Sequence, residues 1–148
     1  MHPGWTVTMD IDIRLVDSWP REDIVRLYES GGWWNECYDP SGIDGLIDGS
    51  FAFAVAVDRG SGRAVGMGRA ISDGSSDAYI QDVVVLDGLR GKGIGSDIIR
   101  SLVEFCRSRG LVWIGLIAEG GSERFYRKLG FDVMPGHTPM LLCQHNTD

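Results

Sequence analysis

The apolar and polar positions of this chain fall into short, alternating segments of two periods. Thr8 to Leu15 alternates residue by residue, which predicts a first strand with one buried face. Arg21 to Ser30 follows Pro20, carries acidic residues in its first turn and meets Gly31-Gly32, which predicts a helix with a glycine stop. Ser41 to Asp48, bounded by Pro40 and Gly49, predicts a second short helix. Phe51 to Asp58 and Ala64 to Ser72 flank Arg59-Gly60-Ser61-Gly62-Arg63, a hairpin signal. Ala78 to Leu86 predicts a central strand, about Ser96 to Arg109 a periodic helix, and Val112 to Ala118 a further strand. Ser122 to Leu129 predicts a last helix stopped by Gly130, with Phe131 to Met134 and Met140 to Cys143 as strands closing the sheet. Strands, helix, strand, helix and strands, with no linker or repeat, give an α/β sheet of mixed direction.

The segment joining the central strand to the long helix carries chemistry. Arg90-Gly91-Lys92-Gly93-Ile94-Gly95-Ser96 follows the run Tyr79-Ile80-Gln81-Asp82-Val83-Val84-Val85-Leu86. Glycines let a backbone approach a ligand, the first helical N–H groups lack partners, and the helix dipole adds positive potential. A tight turn alone could ask for glycine. Three alternating glycines with Arg90 and Lys92 exceed that need and point to a bound anion. A Walker loop would place its first glycine at Leu86, and fails. A dinucleotide fingerprint would need glycine at Ser96 and an acidic residue near Leu111 to Ile114, and fits poorly.

The chain resembles the GNAT acetyltransferases over nearly its whole length. Val83 to Gly95 is similar to that family's central strand and its Arg/Gln-x-x-Gly-x-Gly/Ala pyrophosphate loop. Ile114-Gly115-Leu116 looks like its fifth strand, and Glu123-Arg124-Phe125-Tyr126-Arg127-Lys128-Leu129-Gly130-Phe131 like its Phe-Tyr-x-x-x-Gly-Phe segment. The order and separations of the three carry the resemblance. It implies a mostly antiparallel mixed central sheet flanked by about four helices, as a single domain over residues 1–148.

Composition fits one core. At 148 residues a single domain is expected, no apolar run reaches the roughly 18 residues of a membrane span, and Met1-His2-Pro3 begins no signal peptide. Cys37, Cys106 and Cys143 are odd in number and lack Cys-x-x-Cys spacing, which suits reduced thiols and a cytoplasmic protein. Cys106 shares an apolar helix face with Ile99, Leu102 and Val103 and is expected in the core. A net charge of -7 argues against nucleic acid and weakly favours cationic or neutral partners.

The resemblance implies acyl transfer from acetyl-coenzyme A to an amine. An alkylammonium with pKa about 10.4 must first lose its proton, the thioester oxygen needs a donor, and a thiolate leaving group benefits from an acid. By the same resemblance Val83, Val84 and Val85 hold the pantetheine arm, with Arg90, Gly91, Lys92, Gly93, Ile94, Gly95 and Ser96 around the pyrophosphate. Tyr126 falls where relatives carry a general acid, although a Tyr beside a Phe is also ordinary core material. For the base, Gln81 and Asp82 stand just before the thioester-binding residues. Strand alternation places Tyr79, Gln81 and Val83 on one face and Ile80, Asp82 and Val84 on the other. Asp82 is equally explained as a structural partner of Arg69. Where some relatives use Glu, Tyr79 stands here, so a water chain could replace a carboxylate base.

Trp33, Trp34 and Tyr38 lie in the segment that shapes the acceptor pocket in this family, and could equally cap the core. Glu36 nearby could attract a cation. His137, in Pro135-Gly136-His137-Thr138-Pro139, has no partner cluster for metal, and none is expected. Two classes of function remain open: an N-acetyltransferase, acting on a small primary amine or on a protein N-terminus or lysine, and a non-catalytic acyl-coenzyme A sensor. The expected partners are the amine and acetyl-coenzyme A, with room for a homodimer and with neither nucleic acid nor membrane.

Overall fold

A computed structural model describes residues 9–143, and these fall into two compact units, one ending at Leu116 and the other beginning at Ile117. The first unit is a five-stranded sheet in the order β1-β2-β3-β4-β5. Its strands are β1 (Ile11–Leu15), β2 (Ala52–Asp58), β3 (Arg63–Ser72), β4 (Asp77–Val85) and β5 (Trp113–Leu116). The first four run antiparallel to their neighbours, and β5 is parallel to β4, so the sheet is mixed and mostly antiparallel. Thr8, the expected start of β1, lies outside the described residues.

One face of the sheet is covered by α1 (Arg21–Ser30) and α2 (Gly42–Gly49). Ile24, Leu27 and Tyr28 recur at helical spacing along α1 and bury against Phe53, Val55, Met67 and Val84. Each such aliphatic side chain removed from water contributes on the order of 1.5–3 kcal/mol. The opposite face carries α3 (Ile94–Ser108), whose Ile98, Ile99, Leu102 and Cys106 are buried. Cys106 is thus a core thiol, and burial raises its pKa. Asp23 is the buried charged residue among the described ones and ties α1 to the hairpin. It accepts from the Trp19 indole at 3.0 Å, the Ala64 N–H at 3.0 Å and Arg63 Nε at 2.9 Å. Burial works against its charge, and these donors outweigh burial and hold its pKa below the ordinary value.

The second unit contains α4 (Glu123–Arg127). Phe131 to Met134 and Met140 to Cys143, expected as strands, are irregular here. The Asp132 side chain takes the Val133 N–H at 2.8 Å, Gly136 turns the chain with φ 73°, and Pro135 and Pro139 offer no N–H to a ladder. Met140, Leu141 and Leu142 are each at least 90% exposed, and among the described residues no strand pairs with them. No helix among the described residues is long and apolar enough to cross a membrane.

Candidate functional site

The loop after β4 takes its shape from three glycines. Gly88, Gly91 and Gly93 have φ of 84°, 79° and 83°, in the left-handed region that side chains disfavour. Nothing lies within 4 Å of a Cβ built at any of them, so conformation, not crowding, calls for glycine. Gly93 is the N-cap of α3 and no side chain caps the helix, so the N–H groups of its first turn project outward without intrahelical acceptors. Arg90 folds back on the loop, donating to the Val85 carbonyl at 3.3 Å and pairing with Asp87 at 3.2 Å. Lys92 is exposed and makes no ion pair among the described residues. A backbone of unpaired donors, a helix N-terminus and an exposed cation fit the diphosphate of a coenzyme.

Within β4 the pairing skips. Arg69 faces Gln81 and Met67 faces Val84, so the single residue Gly68 stands against both Asp82 and Val83. This is a β-bulge. Its extra residue, Asp82, has φ 58° and is the non-glycine residue with positive φ among those described. Aspartate tolerates that region better than most, at a cost of about 1–2 kcal/mol. The bulge corrects the alternation expected from sequence. Gln81 and Asp82 both lie on the α1 side, where Asp82 reaches Tyr28, and Val84 joins the core there. Val83 goes to the α3 side with Ile80, whose partner is Ala70. On that side a Cβ at Gly68 would come 2.9 Å from Ile98 and 3.2 Å from both Leu102 and Val83, so α3 packs directly on the bulge.

Asp82 does pair with Arg69. Its Oδ2 accepts from Arg69 Nε at 2.7 Å and from the Tyr28 hydroxyl at 2.7 Å. Tyr28 is a residue that sequence reasoning passed over. Burial first, and the bond to Asp82 second, push its pKa well above the ordinary phenol value, so it stays a donor. Its position four residues after Ile24 and one after Leu27 was the available signal that it faces inward.

Tyr28 also joins this network to the expected acceptor wall. Its ring centroid lies 6.3 Å from Trp33 and 6.4 Å from Trp34, and Trp34 meets Tyr38 edge-on at 5.5 Å. Trp33 and Trp34 pack partly against the core, whereas Tyr38 is 52% exposed. Tyr79 meets Trp113 with ring centroids 5.2 Å apart and planes tilted by 58°, a contact between β4 and β5 that strand periodicity does not reveal. Glu36 is exposed, and His137 turns its Nδ1 to the Pro135 carbonyl at 2.8 Å. Among the described residues no group of three or more His, Cys, Asp or Glu could hold a metal ion.

In the second unit, Tyr126 lies on α4 between Phe125, 5.0 Å away, and Phe131, 6.0 Å away. Burial, and then the charge of Glu119, raise its pKa. The hydroxyl therefore keeps its proton at neutral pH.

The sequence model of the Acetyltransferase (GNAT) family matches residues 15–131. "Histone acetyltransferase TAP1" of Glycine max is 40% identical over 73 residues, 49% of this chain and 32% of that protein. "Serotonin N-acetyltransferase 2, chloroplastic" of Oryza sativa subsp. japonica is 40% identical over 75 residues, 51% of this chain and 38% of that protein. The alignment thus spans about a third of the length of these curated relatives. Among solved structures, a GNAT family acetyltransferase of Streptococcus pneumoniae superposes with a TM-score of 0.77 at 25% identity, over 93% of this chain and 100% of that one. With a mixed five-stranded sheet, four helices among the described residues and a family model matched over residues 15–131, this chain belongs to the GNAT acetyltransferase family.

Proposed function

We propose that the protein transfers an acetyl group from acetyl-coenzyme A to a small primary amine by direct attack. The observation that carries this reading is the loop from Gly88 to Ser96, where left-handed glycines and an uncapped helix N-terminus present unpaired N–H groups beside Lys92. These groups hold the diphosphate, and the backbone of Val83, Val84 and Val85 lines the path of the pantetheine arm. The neutral amine attacks the thioester carbon, the carbonyl becomes an oxyanion stabilised by backbone N–H groups, and the carbon–sulfur bond then breaks. Tyr126 gives its proton to the departing sulfur, the nitrogen sheds its extra proton to water, and the phenolate regains a proton from solvent. Gln81, exposed beside the bulge, contacts the amine or its water. The three free thiols suit a reducing compartment such as the cytosol.

The acceptor class rests on Trp33, Trp34 and Tyr38, an edge-to-face aromatic group open to solvent at Tyr38. Such faces attract an arylalkyl or alkyl ammonium. That relatives include one named for serotonin and one named for histone acetylation supports testing both small amines and protein lysine. The test is acetyl-coenzyme A-dependent release of free coenzyme A across a panel of arylalkylamines, polyamines, histone-tail peptides and folded proteins. Turnover of small amines above peptides supports the reading. Turnover of peptides alone replaces the acceptor, and coenzyme binding without any turnover leaves a sensor.

A further inference from the structure

Two donors from different elements converge on one oxygen of Asp82. Tyr28 comes from α1 and Arg69 from β3, each 2.7 Å from Oδ2. Arg69 is largely sheltered, with 18% of its side chain exposed, and Asp82 has 25%. Between these donors the Asp82 backbone holds a φ of 58°. Across the sheet, Ile98, Leu102 and Val83 fill the space that a side chain at position 68 would take, so α3 presses on the bulge from behind.

We propose that Tyr28 and Arg69 are positioning residues, clamping the Asp82 carboxylate so that the backbone stays left-handed and Val83 is presented correctly to the thioester. This inference rests on the acetyl-transfer reading and assigns Asp82 a geometric duty in place of a proton-accepting one. Strained backbone of this kind persists only where the surroundings over-determine it. Here the surroundings are named: an ion pair, a phenol and a packed helix. The chemistry of the oxygen agrees. A proton arriving from an amine on Oδ2 would displace one donor and leave the Arg69 cation facing a neutral acid. The Tyr28 phenol, buried beside that carboxylate, remains protonated and donates to Oδ2.

The experiment compares Asp82→Gly, Asp82→Ala, Arg69→Met, Tyr28→Phe and the double variant Arg69→Met with Asp82→Gly, all in the full chain. Glycine takes positive φ unaided and alanine does not. The clamp predicts that Asp82→Gly is about tenfold more active in kcat than Asp82→Ala. Arg69→Met and Tyr28→Phe should lower kcat with little change in acetyl-coenzyme A affinity, and Asp82→Gly should restore activity to the Arg69→Met protein. A base at Asp82 predicts instead equal losses of about 10²–10⁴-fold for Gly and Ala, with loss of one limb of the pH–rate profile. That result, or equal and full activity of Gly and Ala, overturns the proposal. If the wild-type protein acetylates nothing, the acetyl-transfer reading falls, and the clamp is judged by backbone NMR couplings reporting φ at Asp82. Unchanged couplings in both Arg69→Met and Tyr28→Phe overturn it, and Tyr28→Phe keeps the ring in the core should Arg69→Met fail to fold.

Discussion

A Cβ on Gly68 would lie 2.9 Å from Cγ2 of Ile98, closer than side chains pack. The absence of a side chain on β3 is therefore what lets α3 seat against the bulge of β4. Gly68→Ala should overpack this contact, costing about 1–3 kcal/mol. The urea midpoint measures that cost, and an unchanged midpoint would show that α3 shifts freely.

Gly93 combines a left-handed φ of 83° with the N-cap position of α3. Gly93→Asp adds strain and a negative charge where a diphosphate is proposed to sit. Acetyl-coenzyme A binding by calorimetry should be abolished while the circular dichroism spectrum is retained. Full affinity in a folded variant would remove the loop from the binding site.

Tyr126→Phe keeps the ring between Phe125 and Phe131 and deletes the hydroxyl. Coenzyme affinity should survive, and kcat should fall about 10²–10⁴-fold where chemistry limits the rate. An undiminished single-turnover rate would reduce Tyr126 to packing.

Asp23 sets an acid limit on stability. Its pKa is held below the ordinary carboxyl value in the folded protein, so the unfolded chain takes up the proton first. Its contribution is present above the unfolded carboxyl pKa of about 3.9 and is lost as pH falls through the lower folded value. Asp23→Asn should cost about 1–3 kcal/mol at pH 7, because Arg63 and the Ala64 N–H lose a carboxylate acceptor. The gap between the two proteins should narrow toward pH 3 in denaturant titrations. A constant gap would mean that Asp23 packs without its charge mattering.

What was legible in the sequence divides by the range of the forces involved. The loop and its helix were readable because Gly91 and Gly93 answer a local backbone demand, visible without knowing any neighbour. Helix α1 was readable for the same reason, from Pro20 to Gly31. The bulge was not, because it belongs to two strands at once: only the pairing of Arg69 with Gln81 and of Met67 with Val84 reveals the extra residue. Gly68 in the middle of a strand was its one trace, since an interior strand glycine marks a bulge or a close approach. Tyr28 meets Asp82 across 54 positions of sequence, beyond any periodicity. The two C-terminal segments failed as strands for the complementary reason that β structure requires a partner, and the apolar run Met140 to Cys143 supplies none by itself.

Asp82 is a supernumerary residue in the weave of β4. Remove it, and Gln81 still meets Arg69, Val83 meets Gly68 and Val84 meets Met67, with every side chain on the face it now occupies. Elsewhere in the strand, a one-residue deletion would turn core valines outward and solvent-facing residues inward. Asp82 is thus a position in β4 whose excision should leave a folded, straightened sheet of unchanged core. Such a protein would separate what the sheet needs to stand from what the bulge adds to it.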